Sequence, residues 1–193
     1  MNHKKSRFLD KFDAKLVNVV GGSDLNQELD LAELHNDLVG NEIRYEPEVW
    51  AGLYVRFEED QPAILVFSSG KYNIAGADSV EELKKIDRIF RSRLTELGIE
   101  FEENIFDIRN QVYLCQYESE FDLNTLAIGL GMENTEYEPE QFPGIFYDIP
   151  TEKGTFLIFR TGKVVLTGVR TWKEAERALS TLFKKFDKLL STG

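Results

Sequence analysis

Cysteine and histidine are nearly missing from this sequence. A single cysteine, Cys115, cannot by itself close an internal disulfide or build a cysteine-based metal site, which fits a reducing compartment. Two histidines, His3 near the start and His35 in a polar segment, give no basis for a histidine-centred metal site or a catalytic triad. No metal or cofactor is expected. Long apolar runs are absent as well: no stretch approaches the roughly 20 residues that a membrane span requires, and Met1-Asn2-His3-Lys4-Lys5 leads into no apolar signal core. The expected location is the cytoplasm. Carboxylates are plentiful, but none is paired with a histidine, a nucleophile motif or a phosphate loop in a way that names a reaction, so an enzyme is not expected. Basic residues are in deficit. Lys and Arg number 23 against 34 Asp and Glu, a formal charge of −11, and taken alone this argues against a partner made of phosphates. What the chain does have is apolar material, 42% of 193 residues, enough to bury a real core.

It also has an internal repeat. Tyr45-Glu46-Pro47-Glu48 recurs as Tyr137-Glu138-Pro139-Glu140, and Phe67, Gly70, Lys71 and Gly76 recur as Phe159, Gly162, Lys163 and Gly168, always 92 residues on. The same offset relates Asn18 to Asn110, Val20 to Val112, Leu31 to Leu123, Leu34 to Leu126, Gly52 to Gly144 and Leu65 to Leu157. A unit of this length is too long for a solenoid repeat and reads as a duplicated half-domain with pseudo-twofold symmetry. The predicted organisation is a flexible tail over 1–14, a first repeat over 15–98 and a second over 99–193, together forming one compact domain.

Each repeat has the same expected elements. In the first, a strand over 16–22 precedes a short helix capped by Asp30, with Leu31, Leu34 and Leu38 on one face. Strands follow around 43–45, 51–57, 63–67 and 71–75, the last two joined by the hairpin turn Ser68-Ser69-Gly70. A long helix then starts at a capping box, Ser79 with Glu82, carries Val80, Leu83, Ile86, Phe90, Leu94 and Leu97 at helical spacing, and stops at Gly98. In the second repeat Thr171 and Glu174 form the box, ahead of Trp172, Ala175, Leu179, Leu182, Phe186 and Leu189.

Strands such as Ala63-Ile64-Leu65-Val66-Phe67 and Phe156-Leu157-Ile158-Phe159 are apolar at consecutive positions, so both sheet faces are apolar. One long and one short helix per repeat, laid on a common side, leave the other face bare. An exposed face of that kind marks a binding surface; a closed barrel or sandwich that buries it is the alternative.

Three blocks decide between these. Val17-Asn18-Val19-Val20, the run from Glu136 through Tyr137-Glu138-Pro139-Glu140-Gln141-Phe142-Pro143 to Gly144, and the run Leu157-Ile158-Phe159-Arg160-Thr161-Gly162-Lys163-Val164-Val165-Leu166-Thr167-Gly168 closely resemble the TATA-binding protein family in its archaeal form, and the match spans both repeats. The resemblance implies an α+β fold, a pseudo-twofold saddle whose curved ten-stranded antiparallel sheet sits on the DNA minor groove, with four helices on the convex side. It implies a general transcription initiation factor that binds and bends a TATA-box element, recruits transcription factor B and, indirectly, RNA polymerase, and lies with the nucleoid. It implies no small-molecule substrate.

The physics of the groove accounts for the residue types. At A·T pairs the minor-groove floor offers only acceptors, and a G·C pair adds the guanine amino donor, so a broad apolar face prefers A·T. By resemblance the floor comprises Asn18, Val20, Leu65, Asn73 and Ala75 in the first repeat and Asn110, Val112, Leu157, Val165 and Thr167 in the second, with the two asparagines bonding central bases. Trp50 with Phe67, and Phe142 with Phe159, are the implied DNA-kinking wedges; Trp50 replaces the family's phenylalanine. Arg56, Ser69, Lys71, Arg160, Thr161, Lys163 and Arg170 match phosphate-binding positions, and Glu138, Glu140 and Gln141 match the loop that grips transcription factor B. Asp78 and Asp148 stand where the family commonly has Lys and Arg, which predicts fewer phosphate contacts and a shallower salt dependence. Asn73 and Ala75 replace the apolar and hydroxyl pair kept as Val165 and Thr167, and Asn73, able to accept from the guanine amino group, is expected to relax the A·T demand under the first repeat. Lys84, Arg88 and Arg91 on the first long helix form a further basic face. These departures keep open a promoter-selective paralogue, and also a module of altered DNA specificity that acts mainly through protein–protein contacts. The charge divides into +2 on the tail, −7 on residues 15–98 and −6 on residues 99–193, so the acidity is shared evenly by the repeats.

Overall fold

The computed structural model describes residues 13–102 and 104–191. Residues 1–12, which hold most of the expected tail and His3, lie outside the described residues. The chain divides into two compact units, Asn18–Arg109 and Asn110–Gly193, the latter taking in the chain up to Val17. The first unit contains most of β1 (Lys15–Asp24), then α1 (Leu31–Asp37), β2 (Glu42–Tyr45), β3 (Gly52–Arg56), β4 (Ala63–Phe67), β5 (Lys71–Ala77) and α2 (Val80–Glu96). The second contains most of β6 (Asp107–Gln116), then α3 (Leu123–Leu130), β7 (Thr135–Glu136), β8 (Gly144–Asp148), β9 (Thr155–Phe159), β10 (Lys163–Val169) and α4 (Trp172–Ser191). Hydrogen-bonded order is β2-β3-β4-β5-β1 in the first unit and β6-β10-β9-β8-β7 in the second, and these pairings are antiparallel. The expected class, α+β with ten antiparallel strands and four helices, is the one observed.

Helices cover one side of each unit's strands. Leu83, Ile86, Phe90 and Leu94 of α2 are buried on the side where Ile64, Val66, Tyr72 and Ile74 are buried. In the second unit Ala175, Ala178, Leu179, Leu182, Phe183 and Phe186 of α4 join Ile145, Tyr147, Phe156, Ile158, Val164 and Leu166 in one cluster. Each such large side chain fully buried contributes about 1.5–3 kcal/mol of hydrophobic stabilisation. In the hairpin turns Gly70 and Gly162 both stand at φ +82°, a backbone state that side chains with a Cβ resist.

The helix starts are capped, with one difference from expectation. Ser79 Oγ accepts the Glu82 N–H at 3.2 Å, and Thr171 Oγ1 accepts that of Glu174 at 3.2 Å. The return arms land one residue further upstream than a capping box implies: Glu82 accepts from the Asp78 N–H at 3.0 Å and Glu174 from the Arg170 N–H at 2.8 Å. Ser79 is extended, at φ −148° and ψ 157°, and the carboxylate reaches past it.

A second difference concerns α2. Lys84 and Arg88 are exposed, but Arg91 is turned inward. Its Nε donates to Asp87 Oδ1 at 3.1 Å and its Nη2 to Ser23 Oγ at 3.0 Å and to the Asn104 carbonyl at 3.3 Å. Tyr72 donates its hydroxyl to the same Asp87 oxygen. This network, with Asn104 Nδ2 donating to the Asp24 carbonyl at 2.9 Å and Ser23 Oγ to that of Ile105 at 3.1 Å, fastens the segment after α2 to the first unit. Arg91 therefore serves packing and leaves the basic helix face to Lys84 and Arg88.

Candidate nucleic-acid interface

Strand alternation sorts the site residues. In β4, Ile64 and Val66 are buried while Ala63, Leu65 and Phe67 keep solvent exposure; in β9, Phe156 and Ile158 are buried while Thr155, Leu157 and Phe159 keep it. Each unit thus has a covered face and an open one. Registered rows cross the open faces: Tyr54, Leu65, Asn73 and Gly22 in the first unit, and Phe146, Leu157, Val165 and Leu114 in the second. A neighbouring row joins Ala63, Ala75 and Val20. Val20, Leu65, Asn73 and Ala75 of the expected floor come together in one unit, and Leu157, Val165 and Thr167 in the other, with Asn110 bonded to Thr167 and Val112 half-buried on β6. Tyr54, Phe146, Leu114, Gly22 and Arg109 belong to the same open faces and escaped the sequence reading, although the offset of 92 links Tyr54 to Phe146 and Gly22 to Leu114.

The two asparagines are held by matching glycines. Asn18 Oδ1 accepts the Gly76 N–H at 3.1 Å, and Asn110 Oδ1 accepts the Gly168 N–H at 2.8 Å. With the oxygen occupied, the amide turns its NH2 group outward, a donor suited to a surface of acceptors. Asn110 Nδ2 also donates to Thr167 Oγ1 at 3.1 Å. Ala75 occupies the corresponding place in the first unit and offers no hydroxyl.

The four expected aromatics form two pairs. Trp50 meets Phe67 and Phe142 meets Phe159, each with ring centroids 5.8 Å apart, and Phe142 also lies 4.8 Å from Phe146. One member of each pair is set by a turn: the Trp50 N–H donates to the Glu46 carbonyl and the Phe142 N–H to that of Glu138, each at 2.9 Å. Glycine makes room for the rings. Gly52 pairs with Phe67 and Gly144 with Phe159, and a Cβ on Gly52 would stand 2.3 Å from the Trp50 ring. Trp50 is 41% exposed and, with Arg44, Glu46, Val49, Tyr54 and Leu65, lines a cleft of about 440 Å³.

The expected phosphate ligands are mostly exposed at strand ends and turns. Ser69, Lys71, Thr161, Lys163 and Arg170 are exposed, with Lys163 Nζ 6.0 Å from the Phe159 ring centroid. Arg160 lies 3.6 Å from Glu120, both largely solvated, a pair of little energetic weight. Arg56 is half-buried against Tyr54 and has Glu42 at 3.9 Å. Glu138, Glu140 and Gln141 are exposed on the turn before Phe142, where the Gln141 amide donates to the Glu138 carboxylate.

Asn73 differs from expectation. Its Oδ1 accepts from Arg109 Nη1 at 2.8 Å, so the oxygen that was to meet a guanine amino group is already engaged. On the covered side burial pushes Tyr113, Cys115 and Tyr117 up to about 12. Among the described residues no set of His, Cys, Asp and Glu side chains could hold a metal ion, and no helix is long and apolar enough to cross a membrane.

The model of one protein family, Transcription factor TFIID (or TATA-binding protein, TBP), matches residues 13–97 and again 105–189. TATA-box-binding protein C of Halobacterium salinarum is 42% identical over 179 residues, which cover 91% of this chain and 98% of that protein. The TATA-box-binding protein of Thermoplasma acidophilum is 38% identical over 175 residues, 90% of this chain and 94% of the relative. The solved structure of Methanococcus jannaschii TBP superposes with a TM-score of 0.79 at 38% identity, over 91% of this chain and 98% of the other.

Proposed function

The chain belongs to the TATA-binding protein family, and from that premise we propose that it is a transcription initiation factor that binds a TATA-like element of double-stranded DNA through the minor groove and bends it. The observation that carries this reading is the repeated pair of solvent-reaching rings, Trp50 with Phe67 and Phe142 with Phe159, beside an open, largely apolar strand face in each unit. Rings so placed wedge between base steps, and the face behind them presses on the groove floor. Asn18 and Asn110 supply donors to base acceptors, while Val20, Leu65, Ala75, Val112, Leu157, Val165 and Thr167 supply contact surface that penalises the guanine amino group.

Arg56, Ser69, Lys71, Arg160, Thr161, Lys163 and Arg170 are assigned to the phosphates. Exposed Asp78 and Asp148 oppose them, so the salt dependence of binding is expected to be shallow for a minor-groove binder. The exposed turn with Glu138, Glu140 and Gln141 is assigned to transcription factor B, through which RNA polymerase would be recruited. The same two aspartates favour a second reading, a module of reduced DNA specificity that works mainly through protein contacts.

Energy transfer between dyes at the two ends of a TATA-like duplex, measured across a salt series with and without transcription factor B, separates the two. Binding that shortens the end-to-end distance supports the first reading. Undetectable duplex binding at low salt, with transcription factor B still captured, supports the second.

A further inference from the structure

The two open faces are not equivalent, and the difference is concentrated in one row. In the second unit the row Phe146, Leu157, Val165, Leu114 is wholly apolar. In the first unit the corresponding row is Tyr54, Leu65, Asn73, Gly22, and the Arg109 guanidinium lies across its end. Arg109 Nη1 donates to Asn73 Oδ1 at 2.8 Å. A Cβ on Gly22 would stand 3.1 Å from Arg109 Cζ and 2.6 Å from Asn73 Oδ1, so the glycine leaves the space that the pair occupies. Gly22 belongs to the open face, because a Cβ on the preceding Gly21 would strike Leu83 of α2 on the covered one. Through the offset of 92, the residue matching Arg109 is Val17. A cation and its amide partner therefore stand on one unit's face where the other has hydrocarbon.

The hydrogen-bonding character of this patch is weighted toward donors. Asn18 Oδ1 is occupied by the Gly76 N–H and Asn73 Oδ1 by Arg109, while Ala75 provides no hydroxyl. Each of these oxygens holds a donor on one of its two lone pairs, while the nitrogens beside them, Asn18 Nδ2, Asn73 Nδ2 and the other guanidinium N–H groups, are all donors and outnumber the acceptor positions left. Donors match the adenine N3 and thymine O2 acceptors and clash with the amino donor that guanine places in the minor groove.

Building on the minor-groove reading above, we infer that Arg109 is a base-reading residue and Asn73 its positioning partner, so that the half-site under residues 18–109 rejects guanine more strongly than an apolar face does. This reverses the relaxed specificity that Asn73 suggested in the sequence. Replacing the pair by apolar side chains would leave Asn18 as the side-chain donor beside an apolar row, the arrangement that Asn110 and its row have in the second unit.

The test uses the full chain and a panel of TATA-like duplexes, each with one A·T pair replaced by G·C or by inosine·C, which lacks the amino group. For the wild-type protein a G·C replacement under Arg109 is expected to lower affinity about tenfold or more, and inosine·C to restore most of it. In Arg109→Gln, and in Asn73→Val, that penalty is expected to shrink by at least threefold, while penalties in the half-site under the second unit stay unchanged. Arg109→Lys is expected to keep the charge but recover only part of the discrimination, since it lacks the planar fork. Unchanged penalties in Arg109→Gln would overturn the inference while leaving minor-groove binding intact. Failure of the wild-type protein to bind any duplex would instead remove the functional reading on which it rests.

Discussion

Asn110 is locked to Gly168: its Oδ1 accepts the glycine N–H at 2.8 Å, which fixes the side-chain amide with its NH2 group toward the open face. Asn18 stands in the same relation to Gly76 at 3.1 Å. A change to aspartate separates the two halves of this arrangement, because a carboxylate oxygen can still accept the glycine N–H but the outward group becomes an acceptor with a negative charge. Asn110→Asp is expected to cost about 1 kcal/mol or less in stability, because the Thr167 hydroxyl, an acceptor from the amide, can turn and donate to the carboxylate. Its DNA affinity is expected to fall about 10- to 100-fold, since an acceptor then meets base acceptors. Thermal unfolding and competition binding on the same preparation check both halves.

Gly52 and Trp50 are linked by space alone. A Cβ at position 52 would lie 2.3 Å from the indole ring, which is the movable end of a half-exposed side chain. Gly52→Ala is expected to fold with a stability change of about 1 kcal/mol or less, in keeping with a surface rearrangement. The displaced ring no longer rests on Phe67, so bending at that end of the DNA is expected to decrease. Tryptophan emission in a Trp172→Phe background, where Trp50 is the remaining indole, is expected to shift to the red, and end-to-end energy transfer reports the bend.

Much of this was legible because duplication doubles every signal. Phe67 and Phe159 identify each other through the offset, and so do the turns that hold Trp50 and Phe142. Helix spacing and the Ser79 and Thr171 caps gave α2 and α4 their starts. Arg109 was not legible for a physical reason. Two-residue alternation groups it with Gln111 and Tyr113, which are buried on the covered side, yet its long side chain reaches Asn73 on the open one. The register of β1 also shifts between Val19 and Val20, so simple counting misplaces the residues that Arg109 meets. Arg91 was misread in the opposite direction. Helical spacing places it beside Arg88, and only the buried carboxylate of Asp87 and the distant Ser23 and Asn104 draw it inward.

That inward network makes a stability prediction. Asp87 is buried and accepts from both Tyr72 and Arg91, whose side chain is 15% exposed. Asp87→Ala strands a largely buried guanidinium and a buried phenol, and is expected to destabilise the protein by about 3–5 kcal/mol. The double change Asp87→Leu with Arg91→Met removes both charges and is expected to recover a large part of the loss. Urea denaturation of the two variants measures the difference. Equal destabilisation by both would mean that the ion pair, as opposed to the cavity, contributes nothing.

Alkali should act through the covered side. Burial raises Tyr113 from its ordinary 10 to about 12, and raises Tyr117 to about 12 as well, aided by its hydrogen bond to Asp187. A raised tyrosine stays protonated in the folded chain while the unfolded chain ionises, so between about pH 10 and 12 the unfolded state binds fewer protons. Stability is therefore fully retained below about pH 10 and falls as pH rises through 12. Tyr113→Phe removes one of these groups together with its hydroxyl bond to Gln111 at 2.7 Å. At pH 8 the variant is expected to be about 1 kcal/mol less stable than the wild type. Above pH 11 that gap is expected to close or invert, because the phenylalanine has no proton to lose. Urea midpoints collected from pH 8 to 12 follow the crossing, and parallel curves for the two proteins would show that Tyr113 does not control the alkaline loss.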